Sequence, residues 1–76
     1  GILRLMPKET DPQGPHTNDE LYYVIKGNGF IRIESKDIPI KPGSIIFVPA
    51  RKKHHFHGNS DELQALYVFA GEDKDA

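Results

Sequence analysis

Leu21-Tyr22-Tyr23-Val24-Ile25-Lys26-Gly27-Asn28-Gly29-Phe30-Ile31-Arg32-Ile33-Glu34-Ser35 reads as two short strands about a turn. In the second half, Ile31 and Ile33 alternate with Arg32 and Glu34, the period of two that leaves one face of a strand wet. The first half, Leu21–Lys26, is apolar on both sides. Between them, Gly27-Asn28-Gly29 supplies the positive-φ freedom and turn chemistry of a hairpin loop. A hairpin of Leu21–Lys26 with Phe30–Ser35 is therefore expected.

The rest of the chain repeats this grammar. Ile2–Met6 reads as a strand, and Pro7–Pro15 is too rich in Pro, Asp and Gly for regular structure. Lys36-Asp37 reads as a turn into Ile38-Pro39-Ile40, where proline, lacking an N–H, calls for a sheet edge. Lys41-Pro42-Gly43 turns again before Ile45–Val48, which Pro49 ends. His54–His57 and Leu63–Ala70 follow, separated by Gly58-Asn59-Ser60-Asp61, and Gly71–Ala76 is a charged tail expected to fray. Eight Ile and three Val outnumber five Leu and four Ala, and β-branched side chains suit a pleated surface better than a helix. Seven Gly and six Pro interrupt any 3.6-residue period. The expectation is an all-β chain, a single antiparallel barrel or sandwich domain over residues 1–76.

Composition narrows the partners. Ten Lys+Arg against eleven Asp+Glu leave a net charge of −1, and the three cations of Arg51-Lys52-Lys53 fall short of a nucleic-acid footprint. No run of eighteen apolar residues and no signal-type apolar stretch is present, so no membrane partner and a cytoplasmic location are expected. Cysteine is absent, which excludes disulfides and thiolate metal sites. A chain of 76 residues has a thin core. Yet Leu21–Ile25 and Leu63–Ala70 are apolar on both faces, and one barrel has one interior. A second copy covering the outer face, in a homodimer, is the expected remedy.

The histidines are unevenly placed. His16 stands in a polar segment, whereas His54, His55 and His57 crowd together. His16 precedes Glu20 by Thr17-Asn18-Asp19, three residues with turn chemistry. A straight strand would hold His16 and Glu20 about 13 Å apart, so a turn must bring them together if they share a ligand. His54 lies at the mouth of another strand. Two neutral imidazoles and a carboxylate on neighbouring strand ends would make a facial triad with open positions. On a regular strand His57 faces away from His54, at the rim or surface, and Tyr22 shares the phase of Glu20.

The run Gly14-Pro15-His16-Thr17-Asn18-Asp19-Glu20, continuing to Gly27, resembles the first sequence motif of the cupins, which has two histidines one residue apart, a glutamate four residues later and a glycine seven after that. Pro42-Gly43 through Pro49, with His54 and Phe56, resembles the second cupin motif. The resembling segments are residues 14–29 and 42–58. What the resemblance implies is a small jelly-roll barrel, commonly dimeric, with one divalent metal ion (Fe, Mn, Zn, Ni or Cu) held by His16, Glu20 and His54. Two departures stand out. Gly14 occupies the place of the motif's first histidine, leaving Gln13, one residue out of phase, as the nearest substitute ligand. Arg51 fills a turn position where the motif has a small residue.

Cupins include dioxygenases, isomerases, decarboxylases and non-catalytic sensing or storage domains, so the resemblance fixes no reaction. Two readings follow. One is a mononuclear metal enzyme of dioxygenase type acting on a small molecule, since a two-His, one-carboxylate face suits Fe(II), with Tyr22 as a hydrogen-bonding or proton-transfer group. The other is a binding module for a small carbohydrate or anion.

Overall fold

The computed structural model describes residues 1–11 and 18–69. Among these residues there are seven strands and no helix: β1 (Ile2–Leu5), β2 (Glu20–Lys26), β3 (Gly29–Ile33), β4 (Lys36–Ile40), β5 (Ile45–Val48), β6 (His54–His57) and β7 (Leu63–Phe69). They form two antiparallel sheets, β1-β7-β2-β5 and β4-β3-β6. The all-β expectation holds, and the strand positions agree with it to within two residues at each end. The expected tail 71–76 and residues 12–15 of the irregular segment lie outside the described residues. Among the described residues no helix is long and apolar enough to cross a membrane.

Both sheets contribute their inward rows to one core. Tyr22, Val24, Leu63, Ala65 and Val48 come from the four-stranded sheet, and Ile31, Ile40 and Phe56 from the other. Tyr22 packs edge-on against Phe56, ring centroids 4.9 Å apart at 88°, which ties β2 to β6 across the barrel.

The pairing differs from the expected hairpin. β2 pairs with β5 and β7, whereas β3 pairs with β4 and β6, so Gly27-Asn28-Gly29 is a corner between sheets. Close packing explains the requirement for glycine there. Gly27 has φ +92°, and a Cβ on it would stand 2.5 Å from the Glu62 carbonyl oxygen. A register shift between Val24 and Lys26 bends β2 just before the corner. The turn placed at Lys36-Asp37 also moves: it falls at Glu34-Ser35, with Glu34 at φ 57°, and Lys36 and Asp37 pair with Ile33 and Arg32 in β4. Pro39 sits on β4, an edge strand, as its missing N–H demands.

The outer face of the four-stranded sheet is apolar. Register aligns Ile2, Leu66, Tyr23 and Ile45 in one row across β1, β7, β2 and β5, and Val68, Leu21 and Phe47 in the next. All seven are exposed, Ile45 by 68% and Phe47 by 54%. A shallow depression of about 160 Å³ between β2 and β7 is lined in part by Leu21, Tyr23, Leu66 and Val68.

Candidate functional site

The two segments singled out by their sequence are held together by backbone-to-carboxylate bonds. Asp19 Oδ1 accepts a hydrogen bond from the Ala50 amide at 2.7 Å, joining the start of β2 to the turn after β5. At the end of the β3–β6 pairing, Glu34 and Lys53 bond reciprocally: the Glu34 amide donates to the Lys53 carbonyl and the Lys53 amide to Glu34 Oε2, each at 2.8 Å. Asp11, buried, accepts the Phe56 amide at 2.9 Å. Arg51 lies at φ 67°, which explains why a small residue suits that turn position.

These bonds place His54 and Glu20 inside the barrel, their side chains 1% and 2% exposed. His54 Nδ1 lies 2.9 Å from the Lys52 carbonyl oxygen. A carbonyl only accepts, so Nδ1 carries the proton and donates. In a neutral ring the Nε2 lone pair then points at Glu20 Oε1, 3.0 Å away, and at the Tyr22 hydroxyl, 3.1 Å away. The hydroxyl can donate to Nε2. A carboxylate cannot, so a neutral imidazole and an ionised Glu20 present two acceptors to one another. Either a proton on one of them or a cation shared by both resolves that contact. Two ligand atoms at right angles around one octahedral divalent ion stand about 3 Å apart, given metal–ligand bonds near 2.0–2.2 Å. The donor chemistry and the 3.0 Å separation therefore fit such an ion.

His16 and Gln13 lie outside the described residues, as does Gly14. Among the described residues no group of three or more His, Cys, Asp or Glu is placed to hold a metal ion. His55 and His57 alternate outward from His54 and Phe56, so neither reaches the interior pair.

Outside, Asp37 takes two hydrogen bonds from Arg32, Nε to Oδ1 at 2.8 Å and Nη2 to Oδ2 at 2.9 Å, and lies 2.8 Å from His57 Nε2. The bond from Arg32 first, then that from His57, hold the Asp37 carboxyl well below the ordinary carboxylate range. Residue spacing gave no access to Asp11, Asp19 or Asp37 as organising groups. Only the turn chemistry around Asp19 hinted at its capping part.

Comparison with known proteins agrees with this architecture. Residues 1–71 match the family model described as a cupin domain. The chain is 37% identical over 70 residues to an uncharacterized protein of Streptomyces coelicolor, covering 92% of this chain and 67% of that one. It is 33% identical over 60 residues to acireductone dioxygenase of Bacillus thuringiensis, covering 71% of this chain and 35% of the relative. Among solved structures it superposes on a Photorhabdus luminescens protein with TM-score 0.84 at 28% identity, covering 97% of this chain and 61% of that chain. A predicted oxalate decarboxylase of Thermotoga maritima gives TM-score 0.78 at 26% identity, covering 90% and 61%. The chain thus spans about a third of the dioxygenase and three fifths of these two structures. An all-β barrel with a buried carboxylate–imidazole pair at its interior, matched over nearly its whole length, belongs to the cupin family.

Proposed function

We propose that this cupin binds one divalent transition-metal ion through Glu20 and His54, with His16 as third ligand and Gln13 as a candidate fourth, and acts on a small molecule by dioxygenase-type chemistry. The observation that carries the reading is the meeting of two buried acceptors, Glu20 Oε1 and His54 Nε2, at 3.0 Å. Similarity to acireductone dioxygenases over 60 residues supports an oxygen-using reaction. A bound ion would supply Lewis acidity and positions open to substrate.

The chain's own residues divide the remaining work. The Lys52 carbonyl fixes the tautomer of His54 by accepting from Nδ1, leaving Nε2 to ligate. Tyr22, fully buried among Phe56 and Tyr67, holds its hydroxyl at the same nitrogen. With Nε2 engaged elsewhere, that hydroxyl is, among the described residues, a buried proton donor beside the pair. Val48, paired across the strands with Glu20, and Phe56, packed on Tyr22, are almost fully buried beside the pair.

The test is metal analysis of protein purified without added metal, then oxygen uptake by Fe(II)-loaded protein against small diketones, thiols and phenols. An ion that His54→Ala removes, with substrate-dependent oxygen uptake, is the expected result. Such an ion without uptake turns the reading to the small-ligand binding module, and the absence of any ion that His54→Ala removes overturns it.

We also propose that the outer face of the four-stranded sheet packs on a second copy. Its seven exposed apolar side chains, at ~100 Å² each, amount to roughly 700 Å², more than the largest patch of an ordinary monomer and close to the ~800 Å² per partner of a standard interface. One patch meeting its own copy closes the assembly without leaving a further sticky face.

A further inference from the structure

On the outer face of the three-stranded sheet, His55 and His57 project side by side from β6, an edge strand, on the side opposite His54. Their ring centroids are 5.4 Å apart. Two imidazoles bound to one tetrahedral ion by bonds of 2.0–2.1 Å would place their centroids about 5 Å apart, so the pair already stands at chelating distance. His57 is held in place from two sides. It stacks on Phe30, centroids 5.6 Å apart at 23°, and its Nε2 lies 2.8 Å from Asp37 Oδ1. Asp37 is in turn gripped by the Arg32 guanidinium through both oxygens. A carboxylate engaged in that way accepts, so His57 Nε2 carries the proton and Nδ1 keeps its lone pair. A carboxylate receiving the second ring N–H is the arrangement that orients metal-ligating histidines generally.

We propose that His55 and His57 form an external two-histidine site for a borderline divalent ion (Zn²⁺, Ni²⁺ or Cu²⁺), with Asp37 as the positioning residue for His57. Two imidazoles without a carboxylate ligand select such ions over Mg²⁺ and Ca²⁺, which prefer oxygen. Asp37 remains an orienter because Arg32 occupies both its oxygens. Water, or a side chain of another molecule, completes the coordination. The site is independent of the interior one, since β6 turns His54 inward and this pair outward.

Calorimetric titration of tag-free, chelator-stripped protein with ZnCl₂ and CuCl₂, with MgCl₂ as control, tests this. The His55→Ala/His57→Ala double variant is expected to lose one binding event, and Mg²⁺ to produce none. Asp37→Asn should weaken that event about 10-fold or more with an unchanged far-UV spectrum. The Cu²⁺ complex should show nitrogen coupling from two imidazoles in its paramagnetic resonance spectrum. A double variant that titrates like the parent, or a Cu²⁺ spectrum without two nitrogens, overturns the proposal. His54→Ala separates the sites: if it alters nothing while the double variant abolishes all binding, the external site stands and the interior reading falls.

Discussion

The Asp19 carboxylate accepts the Ala50 amide at 2.7 Å across a gap of 31 residues. Glu20 follows Asp19 directly, and His54 lies four residues beyond Ala50. One charge-assisted bond thus sets the spacing between the two halves of the buried pair. Asp19→Ala should lower stability by about 1–2 kcal/mol, read from the urea midpoint, because the Ala50 amide loses its partner. It should also weaken divalent-metal affinity by more than Asp61→Ala, an exposed change in a distant turn. Equal metal affinity in the two variants would show that the clamp has no part in placing the pair.

Glu20→Gln offers a sharper test of the donor count at His54. An amide can donate to Nε2 where a carboxylate cannot, so in chelator the variant should match or exceed the parent, by up to about 1 kcal/mol. In excess metal the order should reverse, because the parent gains about 2.7 kcal/mol at a hundredfold excess over its dissociation constant and the variant gains less. Thermal melts with and without metal read both halves. A variant destabilised by several kcal/mol in chelator would mean that Glu20 and His54 already share a proton.

The corner at Gly27 can be compared with the turn at Gly43. Both have φ +92°, but a Cβ at Gly43 meets nothing within 4 Å, whereas at Gly27 it meets the Glu62 backbone. Gly43→Ala should cost about 1 kcal/mol of backbone strain. Gly27→Ala should cost clearly more, since backbone atoms must move as well. Indistinguishable denaturation midpoints would remove the close approach as the reason for glycine.

Acid should act through Asp37. Its folded carboxyl lies below the unfolded value of about 3.9. The stabilisation is therefore complete above that value and is lost as pH falls through the folded one. In metal-free protein, the urea midpoint of the parent should fall more steeply between pH 5 and pH 2 than that of Asp37→Asn. Parallel curves would show that the Arg32 bond contributes nothing to folding.

For the outer face, sedimentation of the parent at tens of micromolar should give a dimer, and Phe47→Glu a monomer with the same far-UV spectrum. A parent that sediments as a monomer rejects the second copy as the occupant of this face.

Much of this was legible locally. Strand positions, the inward phase shared by Glu20 and Tyr22, the opposite phases of His54 and His57, and the edge place of Pro39 all follow from a period of two and from proline's missing donor. These are properties of a few neighbouring residues, so the sequence by itself determined them. Which strands pair is not such a property. Gly27-Asn28-Gly29 has the chemistry of a hairpin loop, yet it makes a corner: β2 pairs with β5 and β7, β3 pairs with β4 and β6, and the two strands reach the core from opposite sheets. The meeting of Glu20 with His54 across 34 residues, and of Asp37 with His57 across 20, depends on cross-strand register throughout the barrel. Only the tertiary structure decided those contacts, since register is set by closing the whole core and not by the residues that end up touching.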